Sequence, residues 1–226
     1  MSLKIKSALF IIIGSLIFIG LPLLGWGVGN GVSFFHHSAR AMFVIIMLIL
    51  QFFSILYNPS MLHRKKNEDK SIKTPKTDLF LIQVFSVSIM LAAPYSDAHG
   101  VFRFSLGETA RYAGLFLLPA GFILMQAAQK HLGRQFSTKV VLVKDHMLIK
   151  SGPYKMVRHP RYLGIMLFFS GISLVFDSFL AILITAALSL VLLWRVNAEE
   201  KLMENRFGNE WRKYRKTSWR LIPRVY

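Results

Sequence analysis

The sequence lacks cysteine and has few acidic residues. Its 226 residues include no Cys, and Asp and Glu together number 11. The absence of Cys excludes a disulfide framework, a thiolate zinc site and a cysteine nucleophile. Because 54% of the residues are hydrophobic, a soluble domain of this length would have too little charge to cover its surface. The composition therefore indicates an integral membrane protein, and the length indicates a single domain.

Long stretches of the chain lack charge altogether. No Asp, Glu, Lys or Arg occurs from residue 7 to residue 39, and about 20 apolar residues are enough for a helix to cross a bilayer. The apolar runs predict an all-α membrane fold of about six transmembrane helices, the last two forming a tight helical hairpin. The predicted spans cover residues 7–24, 41–57, 79–93, 112–129, 162–176 and 178–194. The first run has no small-residue cleavage site, so we expect a retained span rather than a signal peptide.

The connections between these spans differ in composition. Residues 25–31 are rich in glycine and predict a loop, and residues 94–108 predict a short polar connection. Pro119 and Gly121 are placed to kink the fourth span. A β-branched patch at residues 140–143 is typical of a strand or an extended segment.

The positive charge is distributed unevenly along the chain. Lys and Arg number 28 and the net charge is +17. If the N-terminus is cytoplasmic, all but three of these cations lie on the cytoplasmic side, and the exceptions are Arg40, Arg103 and Arg111. The positive-inside rule predicts this bias. It places both termini in the cytoplasm, whether the membrane is a bacterial plasma membrane or the endoplasmic reticulum. Because the cations lie in separate loops along a membrane surface, the pattern excludes nucleic acid as a partner and favours membrane lipids.

A long polar loop, residues 130–161, precedes the hairpin. Long ordered loops in compact proteins are usually functional. Gly152 and Pro153 predict a turn, and Pro160 suits the first turn of the helix that follows. His159 would then lie at a helix N-terminus, which favours anionic groups, and Arg158 adds a guanidinium fork. The alternative is that these cations are ordinary flanking residues in contact with lipid phosphates.

A second cluster begins where the hairpin returns to the same side. Arg195 and Glu199 share one helix face at a spacing of four, and Glu200 and Glu204 follow. Both clusters flank one hairpin, so we expect them to lie close together and to suit a zwitterionic ligand. The alternative is a solvated helix end with a weak surface ion pair. The residues that follow alternate aromatic and basic side chains and predict an amphipathic segment in the membrane interface that covers the site.

These two clusters resemble the signature of a known family. The stretch His146-Met-Leu-Ile-Lys-Ser-Gly-Pro-Tyr154, followed by Arg158-His159-Pro160-Arg161-Tyr162-Leu-Gly164, looks like that of the isoprenylcysteine carboxyl methyltransferase and phospholipid methyltransferase superfamily. The tail Glu199-Glu200, then Arg206-Phe207-Gly208-Asn-Glu-Trp211-Arg-Lys-Tyr214, is similar to the C-terminal motif of that family. The resemblance divides the single membrane domain into variable N-terminal spans, residues 1–108, and a methyltransferase-like core, residues 109–226.

The resemblance implies a methyltransferase that uses S-adenosylmethionine, bound on the cytoplasmic side. Glu199 matches a carboxylate that binds the cofactor, and Arg195 matches an arginine that faces the acceptor carboxylate. Together Arg195 and Glu199 are the candidate catalytic residues. The candidate cofactor contacts, to which Arg158 and Glu200 are added from the two clusters, are His146, Met147, Leu148, Ile149, Tyr154, Arg158, His159, Pro160, Tyr162, Glu199 and Glu200.

The acceptor stays open at this point. A prenylated cysteine carboxylate, a phospholipid amine and a thiol all fit an apolar cleft that a lipophilic acceptor enters from the bilayer. The phospholipid branch has a Gly-x-Gly element where this sequence reads Pro119-Ala120-Gly121, which favours the carboxyl methyltransferases. Two other classes compete with these: a membrane reductase of the sterol type that uses NADPH, and a non-enzymatic lipid-binding or sensor protein that acts through its basic loop at residues 63–76.

No metal site is expected. Adjacent His36 and His37 on a loop are a weak metal signal without carboxylate or Cys partners. The sequence leaves the oligomeric state open.

Overall fold

The computed structural model describes residues 9, 12–57, 77–104, 106–135 and 147–225, and these residues are almost entirely helical. His146, the basic loop at residues 63–76 and the β-branched patch at residues 140–143 lie outside the described residues. Apart from short 3₁₀ turns, eight helices follow one another in the described ranges: α1 (Ile12–Trp26), α2 (Gly31–Phe35), α3 (Ser38–Tyr57), α4 (Thr77–His99), α5 (Glu108–Leu132), α6 (Pro160–Val175), α7 (Phe179–Phe207) and α8 (Asn209–Thr217).

The long apolar helices confirm an integral membrane protein. Helices α4, α5 and α7 are each long and apolar enough to cross a bilayer, and α1 joins the helical segment after it as a bent pair that would count as a fourth span. The apolar part of α3 and the 16 residues of α6 are shorter. The described helices therefore give three or four candidate spans.

Two connections differ from the prediction. The glycine-rich stretch predicted as a loop is mostly helical. The chain turns by 92° at Gly27, whose φ is 114°. The third span continues through Pro94 to His99 instead of ending before the proline. At Pro94 the first helix packs closely on α4: a Cβ on Gly25 would lie 2.4 Å from the Leu91 carbonyl oxygen. Neighbouring helices of this kind let membrane helices tolerate proline.

The hairpin is held to the preceding span by glycine contacts between α5 and α6. A Cβ added to Gly121 would lie 2.5 Å from the Gly164 carbonyl oxygen, and one on Gly171 would lie 2.8 Å from that of Gly114. Small residues at such positions let two helix backbones approach closely in a membrane. Gly121, which the sequence suggested as a kink, is therefore a contact residue. The packing fixes the start of α6, where the polar cluster lies.

Polar groups gather at opposite ends of this bundle. Helix α4 carries Asp78 in its first turn and Asp97 near its last, about 28 Å apart at the rise of an α-helix. The start of α6 and the charged part of α7 lie with Asp78, because Arg195 of α7 contacts that carboxylate. The turn between α6 and α7 lies with Asp97, since Arg111 binds both Asp97 and the Val175 carbonyl oxygen.

Candidate functional site

The site is built on the start of α6 and on the last part of α7 that runs beyond its apolar residues. Pro160 occupies the first turn of α6 and His159 precedes it as the N-terminal cap residue, as predicted. Gly152, at φ 58°, opens a short 3₁₀ turn over residues 152–155, which confirms the predicted Gly-Pro turn. Because α7 is one continuous helix to Phe207, its carboxylates are fixed to the membrane hairpin itself.

The two clusters predicted from the sequence meet in one ion-pair network. Glu199 accepts a hydrogen bond from the Tyr162 hydroxyl and lies 3.3 Å from Arg195 Nε. The Arg195 Nε also donates to the Tyr162 oxygen, 2.7 Å away. This network joins the first turn of α6 to α7. The alternative of a weak, solvated surface ion pair is therefore wrong, because the Arg195 side chain is only 2% exposed.

His159 lies between the two carboxylates. Its Nδ1 is 3.6 Å from Glu199 Oε2, and its Nε2 is 3.3 Å from Glu200 Oε1. Burial lowers the pKa of His159, but hydrogen bonds to Glu199 and Glu200 and their negative charges raise it by more, so its net pKa lies above the ordinary value. Both ring nitrogens donate only when the imidazole is protonated, so the geometry favours an imidazolium here.

Arg158 holds the C-terminal segment against this network. Its Nε donates to Glu200 Oε1 over 2.9 Å, and its Nη1 donates to the Arg215 and Ser218 carbonyl oxygens. The backbones also pair: Arg158 N donates to the Trp219 oxygen over 2.8 Å, and His159 N donates to that of Arg220 over 3.2 Å. The amphipathic tail thus lies beside the Arg-His-Pro triplet.

The remaining candidate residues lie around this centre. Met147 is exposed and donates its backbone N–H to Gln135 Oε1, and Leu148 and Ile149 are half-buried in a segment that is neither helix nor strand. Tyr154 is buried, its backbone oxygen accepts from the Tyr214 hydroxyl, and burial raises the pKa of its own hydroxyl. The described residues contain no group of three His, Cys, Asp or Glu side chains that would hold a metal ion.

Asp78 belongs to the site although the sequence did not point to it. It is buried in the first turn of α4 and pairs with Arg195 Nη1. A buried guanidinium needs a carboxylate partner, and Glu199 is shared with Tyr162. The only sequence signal was an acidic residue at the start of a predicted span, 117 residues from its partner. Arg195 is consequently held on two sides, by Asp78 and by Glu199.

The raised pKa of His159 makes stability depend on pH. A group with a raised folded-state pKa contributes stability that is present in full below about pH 6.5 and is lost as pH rises through the folded value. We expect the difference in unfolding temperature between the protein and the His159→Gln variant to shrink from pH 6 to pH 9. The measurement is thermal unfolding in detergent. His99→Gln, at an exposed histidine, should give a profile parallel to that of the unaltered chain. A His159→Gln profile parallel to it as well would contradict the imidazolium assignment.

Glu199 is the carboxylate of this network that is most open to a ligand. Its side chain is 23% exposed, against 10% for Glu200 and 12% for Asp78. It is positioned by a tyrosine, an arginine and a histidine, so its orientation is fixed before any ligand arrives. A fixed, partly open carboxylate beside aromatic rings suits the cationic end of a zwitterionic ligand.

The sequence of this chain is similar to those of isoprenylcysteine methyltransferases. Residues 114–205 match the model of the isoprenylcysteine carboxyl methyltransferase family. The protein-S-isoprenylcysteine O-methyltransferase of Schizosaccharomyces pombe is 34% identical over 131 residues, which cover 55% of this chain and 52% of that protein. A probable protein-S-isoprenylcysteine O-methyltransferase of Oryza sativa is 32% identical over 111 residues, covering 46% of this chain and 56% of the rice protein. The chain thus spans about half the length of the curated relatives that it matches.

A solved structure shares the fold. The structure of the eukaryotic intramembrane Ras methyltransferase, an isoprenylcysteine carboxyl methyltransferase, superposes with a TM-score of 0.59 over 94% of this chain and 74% of that one. The sequences are 19% identical in this superposition, so the likeness concerns the fold alone.

Proposed function

We propose that the chain, which matches the isoprenylcysteine carboxyl methyltransferase model over residues 114–205 and is similar to proteins of that name, is an integral membrane methyltransferase. It would use S-adenosylmethionine and methylate a lipophilic acceptor. The observation that carries the proposal is the carboxylate of Glu199, partly exposed and fixed by Tyr162, Arg195 and His159 at the end of an apolar hairpin. The cytoplasmic location of the site, the six spans and the cytoplasmic termini belong to the same proposal, as does the division into variable spans 1–108 and a core 109–226.

The residues present fit the cofactor. S-adenosylmethionine has an ammonium and a sulfonium group, both cationic, and Glu199 offers a carboxylate to such a group. The backbone at Met147, Leu148 and Ile149 is not helical. The Met147 amide is engaged by Gln135, so we assign the backbone polar groups of Leu148 and Ile149, with the Met147 carbonyl, to the ligand. Tyr154, His159, Pro160 and Tyr162 would form the aromatic and apolar wall, with Arg158 and Glu200 supporting it from behind. His146 would extend the wall from outside the described residues.

The chain contributes positioning and exclusion of water. When bound, the cofactor would supply an activated methyl group for transfer to the acceptor. Arg195 holds Glu199 and Tyr162 in place. We also assign Arg195 to the carboxylate of an acceptor. In the structure, Asp78 pairs with one side of its guanidinium. A carboxylate or thiolate acceptor needs no general base, whereas an ammonium acceptor must first lose a proton. The acceptor enters from the bilayer between helices, and holding it in line supplies most of the rate enhancement.

The proposal predicts binding and transfer in the purified protein. In detergent, calorimetry with S-adenosylhomocysteine should give a saturable isotherm. Incubation with labelled S-adenosylmethionine and a total membrane extract should label a lipid-soluble product. Alkaline release of labelled methanol would identify a methyl ester and hence a carboxylate acceptor, while alkali-stable label would identify an amine or thiol. No binding at millimolar ligand, or oxidation of NADPH by an enone instead, would refute the proposal.

A further inference from the structure

A basic cavity lies beside the tail, outside the network around Glu199. It has a volume of about 430 Å³, and we call it the basic cavity. Its lining consists of Arg158 and six consecutive residues of the C-terminal segment: Arg215, Lys216, Thr217, Ser218, Trp219 and Arg220. Four of these seven side chains are cationic and none is acidic. The chemistry of this lining favours an anion with several oxygen acceptors.

The charge of the cavity does not suit the proposed cofactor. S-adenosylmethionine carries a net positive charge, which four lining cations would repel. The single carboxylate of Glu200 is shared by Arg158 and Arg220, and Glu204 lies 3.5 Å from Arg215. Lys216 has no ion-pair partner within 4 Å among the described residues, and the segment 209–225 as a whole carries six cations against the single carboxylate of Glu210. An excess of positive charge therefore remains at the cavity.

The residues around the cavity have the character of a segment at a membrane surface. Trp219 pairs through its backbone with Met156 and Arg158, immediately before α6 enters the apolar part of the bundle. The side chain of Trp219 is 45% exposed, and the apolar residues Ile222 and Val225 beside it are also exposed. Tryptophan and exposed apolar residues next to Lys and Arg are typical of segments at a membrane surface.

From these observations we infer that the basic cavity binds the phosphate headgroup of an anionic phospholipid. Lys216 and Arg215 contact the phosphate, and Trp219 lies at the boundary between the headgroups and the acyl chains. Arg158 lines the cavity with one side and holds Glu200 and the tail with the other, so the bound lipid clamps the tail over the Glu199 network. The site shares Arg158 with the proposed cofactor site, but lipid binding does not require methyl transfer and can be measured without cofactor.

The test is a titration of the full chain in detergent micelles with short-chain phosphatidylglycerol, followed by the fluorescence of its tryptophans. We expect phosphatidylglycerol to bind at least about tenfold more tightly than phosphatidylcholine. Each surface cation contributes about fivefold, so the double substitution Arg215→Gln with Lys216→Gln should weaken binding roughly 25-fold. The matched control, Lys201→Gln with Arg206→Gln, removes the same charge from exposed positions on α7 and should change binding less than about threefold.

Three results would overturn the inference. An equal loss in the control pair would mean general attraction to a charged surface. Displacement of the lipid by inorganic phosphate at low millimolar concentration would mean a site for the free ion. A parallel fall in S-adenosylhomocysteine affinity in the Arg215 and Lys216 variant would assign the cavity to the cofactor. If that variant does not fold, as judged by its unfolding transition, Lys216→Gln alone should still weaken binding about fivefold.

Discussion

Replacing Glu199 with alanine is expected to weaken binding of S-adenosylhomocysteine at least about 30-fold, to the limit of calorimetric detection. Removing one partner of a buried, hydrogen-bonded charge pair costs about 2–5 kcal/mol, and here the carboxylate also aligns Tyr162 and Arg195. The more conservative Glu199→Gln variant keeps an acceptor oxygen for the Tyr162 hydroxyl but removes the charge. We expect it to bind nearly as poorly, because the ammonium group of S-adenosylhomocysteine would lose its anionic partner.

The matched control for this experiment is Glu204→Ala. Glu204 lies on the same helix and pairs with Arg212 and Arg215 at the exposed surface. Its loss should change the affinity less than about threefold. Unfolding temperatures of all three variants separate loss of binding from loss of structure. Wild-type affinity in a folded Glu199→Ala variant would show that the carboxylate does not meet the cofactor.

The pairing of the two polar clusters was predictable from the sequence. Both flank one apolar hairpin, so chain geometry alone brings His159 and Tyr162 near Glu199 and Glu200. Pro160 also predicted where α6 begins. The spacing of four between Arg195 and Glu199 predicted that these two residues share a helix face. These signals are local, or depend only on the two arms of a hairpin returning to the same side.

Asp78 was not predictable in this way. Its partner Arg195 is 117 residues away, on a helix that is neither its neighbour in sequence nor its hairpin partner. Hydropathy gives the number and approximate limits of apolar helices but not which of them adjoin. The same limitation explains why α4 was predicted to stop before Pro94: the sequence does not show that Gly25 packs against that turn.

The three cations on the minority side of the predicted topology have a common explanation. Arg40, Arg103 and Arg111 all lie within ion-pair distance of Asp97, at 3.0, 3.7 and 2.7 Å. Arg103 also pairs with Asp177 in the turn of the hairpin. In the sequence they were exceptions to a charge bias. In the structure they form ion pairs with Asp97 and Asp177. These ion pairs join α3, α4, α5 and the hairpin at the end opposite the site.

Asp97→Asn is therefore expected to destabilise the fold severely. The carboxylate is 2% exposed and receives both nitrogens of the Arg111 fork as well as Arg40, which also packs over the Trp26 ring. Breaking a buried ion pair by removing one partner costs about 3–5 kcal/mol, because the remaining charges stay buried without compensation. Thermal unfolding in detergent should show a large drop in midpoint, and the yield of folded protein should fall.

The control at the same end of the bundle is Glu108→Gln. Its side chain is 58% exposed, and it lies 2.8 Å from His37 and 3.9 Å from Arg111. An exposed pair of this kind contributes less than about 1 kcal/mol, so the midpoint should barely move. If Asp97→Asn accumulates no folded protein, Arg103→Gln offers a milder test, because this arginine is 39% exposed and shares Asp97 with two others. A small effect of Asp97→Asn, equal to that of Glu108→Gln, would mean that glycine packing between α5 and α6 holds the bundle without the arginine cluster.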